Sequence, residues 1–120
     1  MKTETGYSAA PAVSVVMSVY NGERYLAEAI ESILGQTYRD FEFIIIDDGS
    51  TDESLKIVEG YASRDNRIRL VSRPNRGLAA ALNDGIEIAR APIIARMDAD
   101  DVSLPKRFEK QMLYMAQHPE

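Results

Sequence analysis

A parallel α/β sheet with helices on both faces is the fold class this sequence predicts, and three observations predict it. Apolar runs of strand length alternate four times with amphipathic segments of helical period. The loops joining them are short, so each strand-to-strand step reads as a right-handed crossover. The first run, Val13–Tyr20, is apolar almost without interruption and rich in valine, as expected of a strand covered on both faces.

Residues 1–12 (MKTETGYSAAPA) are small and polar without periodicity, and read as a flexible N-terminal arm. Residues 13–120 then read as one domain. Asn21-Gly22 is a turn signal after the first strand. From Glu23 to Leu34 the apolar residues Tyr25, Leu26, Ala29, Ile30, Ile33 and Leu34 make a helical stripe that stops at Gly35. Phe41–Ile46 is the second strand and leads straight into Asp47-Asp48-Gly49-Ser50. Ser50 and Glu53 have the spacing of a capping box, which predicts a helix from about Asp52 to Ala62. Ile68–Val71 is a third strand, Leu78–Ala89 a third helix and Ile93–Met97 a fourth strand. The last helix is expected from about Leu104 to Gln117, with Ser103 as its cap and Pro105 in its first turn.

Composition removes several functions. Of 120 residues, 45% are hydrophobic and 28% charged, which excludes a disordered or repetitive chain. A net charge of −5 speaks against nucleic acid as a partner. The charge is uneven, with the acidic excess in residues 1–60 and a slight basic excess in 61–120. Without cysteine there is no disulfide, thiolate metal site or cysteine nucleophile. No apolar run approaches the roughly 20 residues of a transmembrane helix. The start of the chain lacks a signal-peptide pattern, so the expected location is the cytoplasm, the inner face of the membrane included.

In a parallel sheet, ligands bind outside the carboxyl ends of the strands. The unusual polar residues fall there. The strand ends read Ser18-Val19-Tyr20-Asn21, Asp47-Asp48, Ser72-Arg73 and Asp98-Ala99-Asp100-Asp101. Five acids on one rim repel one another unless a cation sits among them, and oxygen ligands suit a hard ion such as Mg²⁺ or Mn²⁺. Of Asp98 and Asp100, one is expected on the metal and the other to point elsewhere. An Asp-Gly-Ser after a strand is often only a turn and a helix cap, and a lone Asp-x-Asp arises by chance. Both motifs at strand ends of one short chain favour a functional acid site.

Other residues carry less. Asn75-Arg76-Gly77 before a helix offers backbone amides and a guanidinium to a phosphate, and reads equally well as a loop. His118 beside Pro119 reads as a solvated end residue, Met112 and Met115 as core fillers, and Arg107 and Lys110 as a solvated face. Neither a Gly-x-Gly-x-x-Gly nor a Gly-Lys-Ser/Thr loop is present, which excludes dinucleotide and P-loop sites on their motifs. A phosphorylation receiver would want acids after the first strand and a phosphoacceptor after the third. This chain has neither.

Taken together, residues 13–22 (VSVVMSVYNG), Ser32-Ile33-Leu34-Gly35-Gln36-Thr37, Asp47-Asp48-Gly49-Ser50-Thr51-Asp52, residues 75–83 (NRGLAAALN) and Asp98-Ala99-Asp100-Asp101 resemble the N-terminal half of family 2 glycosyltransferases. The resemblance covers residues 13 to about 118 in order and spacing. It implies a GT-A fold, and it sharpens the expected strand order to 3-2-1-4. It also implies inverting transfer from a nucleoside-diphosphate sugar to an unknown acceptor, with Mn²⁺ or Mg²⁺, in cell-wall or polysaccharide synthesis. Carried over by position, Ser18 and Tyr20 line the nucleoside pocket and Asp48 hydrogen-bonds the base. Asp98 lies near the ribose or the diphosphate-sugar, and Asp100 binds the metal. A UDP-sugar is the first expectation, since a carboxylate accepts from a uracil N–H.

Two departures from the family pattern matter. Many members carry arginine where this chain has Leu82. The family's catalytic Asp or Glu lies in a later segment, often followed by Gln-x-x-Arg-Trp, whereas this sequence ends at Glu120 and has no tryptophan. The chain therefore reads as the donor half of a longer enzyme, with its base expected beyond Glu120 and with self-association through any surface left uncovered. If transfer is nonetheless complete within it, Asp101 is the first residue to consider as base. Two other classes are a non-catalytic nucleotide-sugar-binding module acting with a partner and a GT-A-like nucleotidyltransferase. The latter usually has a Gly-rich, basic signature where this chain reads Asn21-Gly22-Glu23-Arg24.

Overall fold

The computed structural model describes residues 10–118, and most of the arm read at residues 1–12 lies outside them. Four strands, β1 (Val13–Val19), β2 (Phe41–Asp48), β3 (Ile68–Arg73) and β4 (Ile93–Asp98), alternate with helices α1 (Glu23–Leu34), α2 (Ser54–Ala62), α3 (Leu78–Ile88) and α4 (Arg107–Gln117). The sheet is parallel throughout, in the order β3-β2-β1-β4. Both the alternation and the strand order expected from the sequence are found.

Burial follows position in the sheet. Every residue of β2 is buried and only Ser18 of β1 is not fully so, whereas the edge strands β3 and β4 are half open. Successive side chains point to opposite faces. Val15, Met17, Val19, Phe43 and Ile45 meet Leu26, Ala29, Ile30 and Ile33 of α1, Val58 of α2 and Phe108 of α4 on one face. On the other, Val16, Ile44 and Ile46 meet Ala81 and Leu82 of α3. Each of these side chains larger than alanine contributes roughly 1.5–3 kcal/mol when fully buried. At Gly85 a Cβ would stand 2.5 Å from Cγ1 of Val16, so helix α3 lies too close to β1 for any side chain there.

Three strands run further than their apolar patterns suggest. Asp47 and Asp48 remain in β2 because β3 supplies ladder partners, pairing Asp47 with Ser72 and Asp48 with Arg73. Asp98 is likewise held in β4 opposite Ser18. Two helix starts differ for a different reason. Helix α2 begins at Ser54, whose N–H donates to Asp52 Oδ1 at 2.8 Å, and α4 begins at Arg107 with no bond from the side chain of its N-cap residue. The cap of α4 comes instead from Gln36, which is buried. Its Oε1 accepts the Phe108 N–H at 3.0 Å, while its Nε2 donates to Ser32 O and to Leu104 O at 2.7 Å. Ser103 does not cap the helix. Its N–H donates to Ser32 Oγ, and its Oγ accepts from Arg107 Nη1. These bonds fix the 98–107 segment against the end of α1.

Some side chains depart from expectation. Met112 packs on the core, but Met115 is exposed. Arg107 is not simply solvated, since it reaches Arg96 O and lies over the Phe108 ring. His118 stacks on Tyr114.

Candidate functional site

The carboxyl ends of β1, β2 and β4 form one rim. Its two middle loops hold each other. Asn21, at φ +51, accepts the Thr51 N–H at 2.8 Å and the Asp52 N–H at 3.3 Å through its Oδ1. In return the N–H groups of Asn21, Gly22 and Glu23 donate to Ser50 Oγ, Ser54 Oγ and Asp52 Oδ2. Glu23 Oε1 then accepts the Glu53 N–H at 2.8 Å. Helices α1 and α2 therefore cap each other across the rim, satisfying the amide groups that a helix start leaves open. The expected capping box within Ser50–Glu53 is replaced by this exchange. Sequence spacing shows only local caps, so Asn21 read merely as a turn.

Beyond this clasp, Asp47 and Asp48 turn to opposite faces of the sheet and do not act as a pair. Asp48 is 2% exposed and its carboxylate is full. Oδ1 accepts from Arg73 Nη2 and the Arg76 N–H, both at 2.9 Å; Oδ2 accepts from the Gly77 N–H at 2.9 Å and Asn75 Nδ2 at 3.2 Å. Burial alone would raise its pKa, but the Arg76 and Gly77 amides and the Arg73 guanidinium hold it below the ordinary value. The Arg76 and Gly77 amides, which the sequence offers to a phosphate, are thus already engaged. Arg73 continues the chain of charges to Asp84. Gly49 makes the close approach feasible. It sits at φ +78, and a Cβ there would come within 2.5 Å of Asn75 N. Asp47 is equally buried, yet its Oδ1 meets no donor among the described residues.

The end of β4 is built in the opposite way. After Asp98 the chain turns at residues 99 and 100, closed by an Asp101 N–H to Asp98 O bond of 3.1 Å. The turn overrides the alternation of extended chain. Carboxylate oxygens of Asp98, Asp100 and Asp101 all come within 4.8 Å of one another, and all three residues are exposed. Alternation by itself puts Asp98 and Asp100 on one face, so the expectation that they point apart is corrected, and the turn brings Asp101 to them. Like charges at this separation favour a bound cation, and an all-oxygen donor set fits Mg²⁺ or Mn²⁺. Ser18 lies between the two acid regions, in register with Ile46 on one side and Asp98 on the other. Tyr20, 53% exposed, follows it at the head of the rim. Among the described residues, no helix is long and apolar enough to cross a membrane.

A parallel sheet of this order, with acids at the carboxyl rim, is the frame of a GT-A glycosyltransferase, and comparison with known proteins gives the family. The pattern of Glycosyl transferase family 2 matches residues 14–120, and the chain belongs to that family. It is 45% identical to the O-antigen biosynthesis glycosyltransferase WbnJ of Escherichia coli over 107 residues, which are 88% of this chain and 42% of WbnJ. The structure of S. aureus TarS 1–349 in complex with UDP-GlcNAc superposes with a TM-score of 0.84 at 27% identity, covering 89% of this chain and 32% of that one. The mannosyltransferase PcManGT from Pyrobaculum calidifontis, in complex with GDP-Man and Mn²⁺, gives a TM-score of 0.71 at 29% identity over 79% of this chain and 29% of its own. The chain spans less than half the length of such curated relatives.

Proposed function

We propose that this chain supplies the donor-binding part of an inverting, metal-dependent glycosyltransferase acting on a nucleoside-diphosphate sugar. The observation that carries the proposal is the Asp98–Asp100–Asp101 cluster, three exposed carboxylates within 4.8 Å at a strand end of a family 2 GT-A domain. Asp100, assisted by Asp101, would hold Mn²⁺ or Mg²⁺, with Asp98 toward the ribose or the diphosphate-sugar. Bound there, the ion supplies charge neutralisation for the departing diphosphate. Ser18 and Tyr20 line the nucleoside pocket in this reading.

Asp48 serves that pocket by fixing the 73–77 loop beside it. A base N–H reaches the Asp48 carboxylate only by replacing one of its four donors. The Asn75 side-chain amide, the longest at 3.2 Å and also bonded to Asp48 O at 3.0 Å, which it keeps, is the one to yield. A UDP-sugar is the first donor proposed, in keeping with the UDP-GlcNAc held by TarS. The acceptor belongs to the building of a surface polysaccharide, a setting supported by the name of WbnJ. We assign no catalytic base to the described residues, so residues 1–120 alone bind donor and transfer sugar poorly.

Calorimetric titration with UDP, GDP and dTDP, with and without Mn²⁺, tests the reading. UDP is expected to bind at least tenfold more tightly with Mn²⁺, and Asp100→Ala to lose that increment. Absence of binding by every nucleotide under both conditions contradicts it.

A further inference from the structure

Strand β4 carries an open row that neither the core nor the acid cluster uses. Ile94, Arg96 and Asp98 are exposed and alternate with the more buried Ala95 and Met97, so the three share one face. Helix α3 lies on that face but chiefly over β1 and β2. Its Leu82 reaches the border. There Leu82, Arg96, Met97, Asp98 and Asp101 line a single open cavity of about 230 Å³.

Arg96 stands opposite Val16 in the sheet register and Asp98 opposite Ser18. Two residues along a strand is roughly 7 Å, well within the reach of an arginine side chain. Yet among the described residues the guanidinium donates to no acceptor and pairs with neither acid of the cavity. Only its backbone oxygen is engaged, by Arg107. The cavity thus has carboxylates at one end, an uncommitted guanidinium at the other and the apolar Leu82 beside them.

Charge decides what such a cavity accepts. Three carboxylates repel a diphosphate, and with one divalent ion bound they still keep a net negative charge. The guanidinium brings that balance to neutral, and its planar fork matches the oxygens of a phosphate. We infer that Arg96 binds a phosphate oxygen of the nucleoside-diphosphate donor, on the side of the phosphate away from the acid cluster. The inference rests on the nucleoside-diphosphate-sugar reading given above. Arg96 is a binding residue in this account and takes no proton.

Titrations of the wild-type chain, Arg96→Ala and Arg96→Lys with UDP and with uridine, all in diamagnetic Mg²⁺, test it, with uridine followed by NMR shift changes. A charge-assisted hydrogen bond to phosphate corresponds to roughly a 10–100-fold effect. Arg96→Ala is expected to weaken UDP binding by that factor while leaving uridine binding within twofold, and Arg96→Lys, which keeps the charge without the fork, to recover only part of the lost UDP affinity. Wild-type UDP binding that Arg96→Ala leaves within twofold overturns the inference alone, as does an equal loss for UDP and uridine. A wild-type chain that binds no nucleoside diphosphate overturns the donor reading and this inference together.

Discussion

Strands β2 and β4 flank β1 on its two sides and end on the same rim in aspartates, yet the two ends are built on opposite principles. At the end of β2, Asp48 is buried and meets a donor for each of its acceptor sites. At the end of β4, Asp98, Asp100 and Asp101 are exposed and crowd one another without a cationic partner among the described residues. A buried carboxylate without donors is costly, so Asp48 exists only together with Arg73 and the 75–77 loop. Exposed carboxylates carry no such requirement and stay available. One end of the rim is satisfied by the protein, and the other is left open to solvent.

The largest effect that sharpens this contrast is on stability. Asp48→Ala takes one of the two carboxylate partners from the buried Arg73 guanidinium and leaves two loop amides without their acceptor, and is expected to cost about 3–5 kcal/mol in urea unfolding. A loss below about 1 kcal/mol would show that the loop does not depend on the carboxylate.

Glu42 extends the comparison to the opposite end of the sheet. It is buried and accepts from Ser14 Oγ, the Arg90 N–H and Nε, and Arg69 Nη1. Burial pushes its pKa up, but these donors outweigh it and bring the carboxyl from 4.5 to about 2. A lowered folded value stabilises above the unfolded one, and that stabilisation fades as pH falls from about 4.5 toward 2. Glu42→Gln should cost about 2 kcal/mol at neutral pH, allowing for the solvent around Arg69 and Arg90, and should flatten the acid limb of stability against pH. Nucleotide binding should be unaffected. An unchanged acid limb would remove Glu42 as its source.

These two carboxylates also show how far the sequence was legible. The strand order and the helix faces follow from apolar periodicity, which is why α1 and the buried run of β1 were readable almost to the residue. Polar residues held by tertiary partners were not. Asp47 and Asp48 stay in β2 because β3 offers ladder partners, and amides leading into α2 and opening α4 are met by Asn21, Glu23 and Gln36, distant in sequence. The site acids were legible as residues but not as an arrangement. Alternation puts Asp98 and Asp100 on one face and Asp101 on the other, whereas the turn at 99–100 brings all three together. No spacing rule distinguishes a satisfied aspartate such as Asp48 from an available one.

A smaller effect, with the opposite sign, belongs to the β4 end. Asp98→Asn or Asp101→Asn relieves like-charge repulsion and removes no protein donor from a buried acid. Each should change stability by no more than about 0.5 kcal/mol, toward greater stability at low salt. Destabilisation comparable to that of Asp48→Ala would break the comparison.

The most direct test of the claim that this cluster is built for a cation is Mn²⁺ binding followed by electron paramagnetic resonance, in which the signal of free hydrated Mn²⁺ falls as the ion is taken up. With UDP present, at a concentration where UDP alone leaves most Mn²⁺ free, the wild-type chain should remove the signal in proportion to added protein. The Asp98→Asn/Asp100→Asn/Asp101→Asn variant should leave it unchanged. A wild-type chain that leaves the Mn²⁺ signal intact, or a triple variant that removes it equally well, contradicts the account.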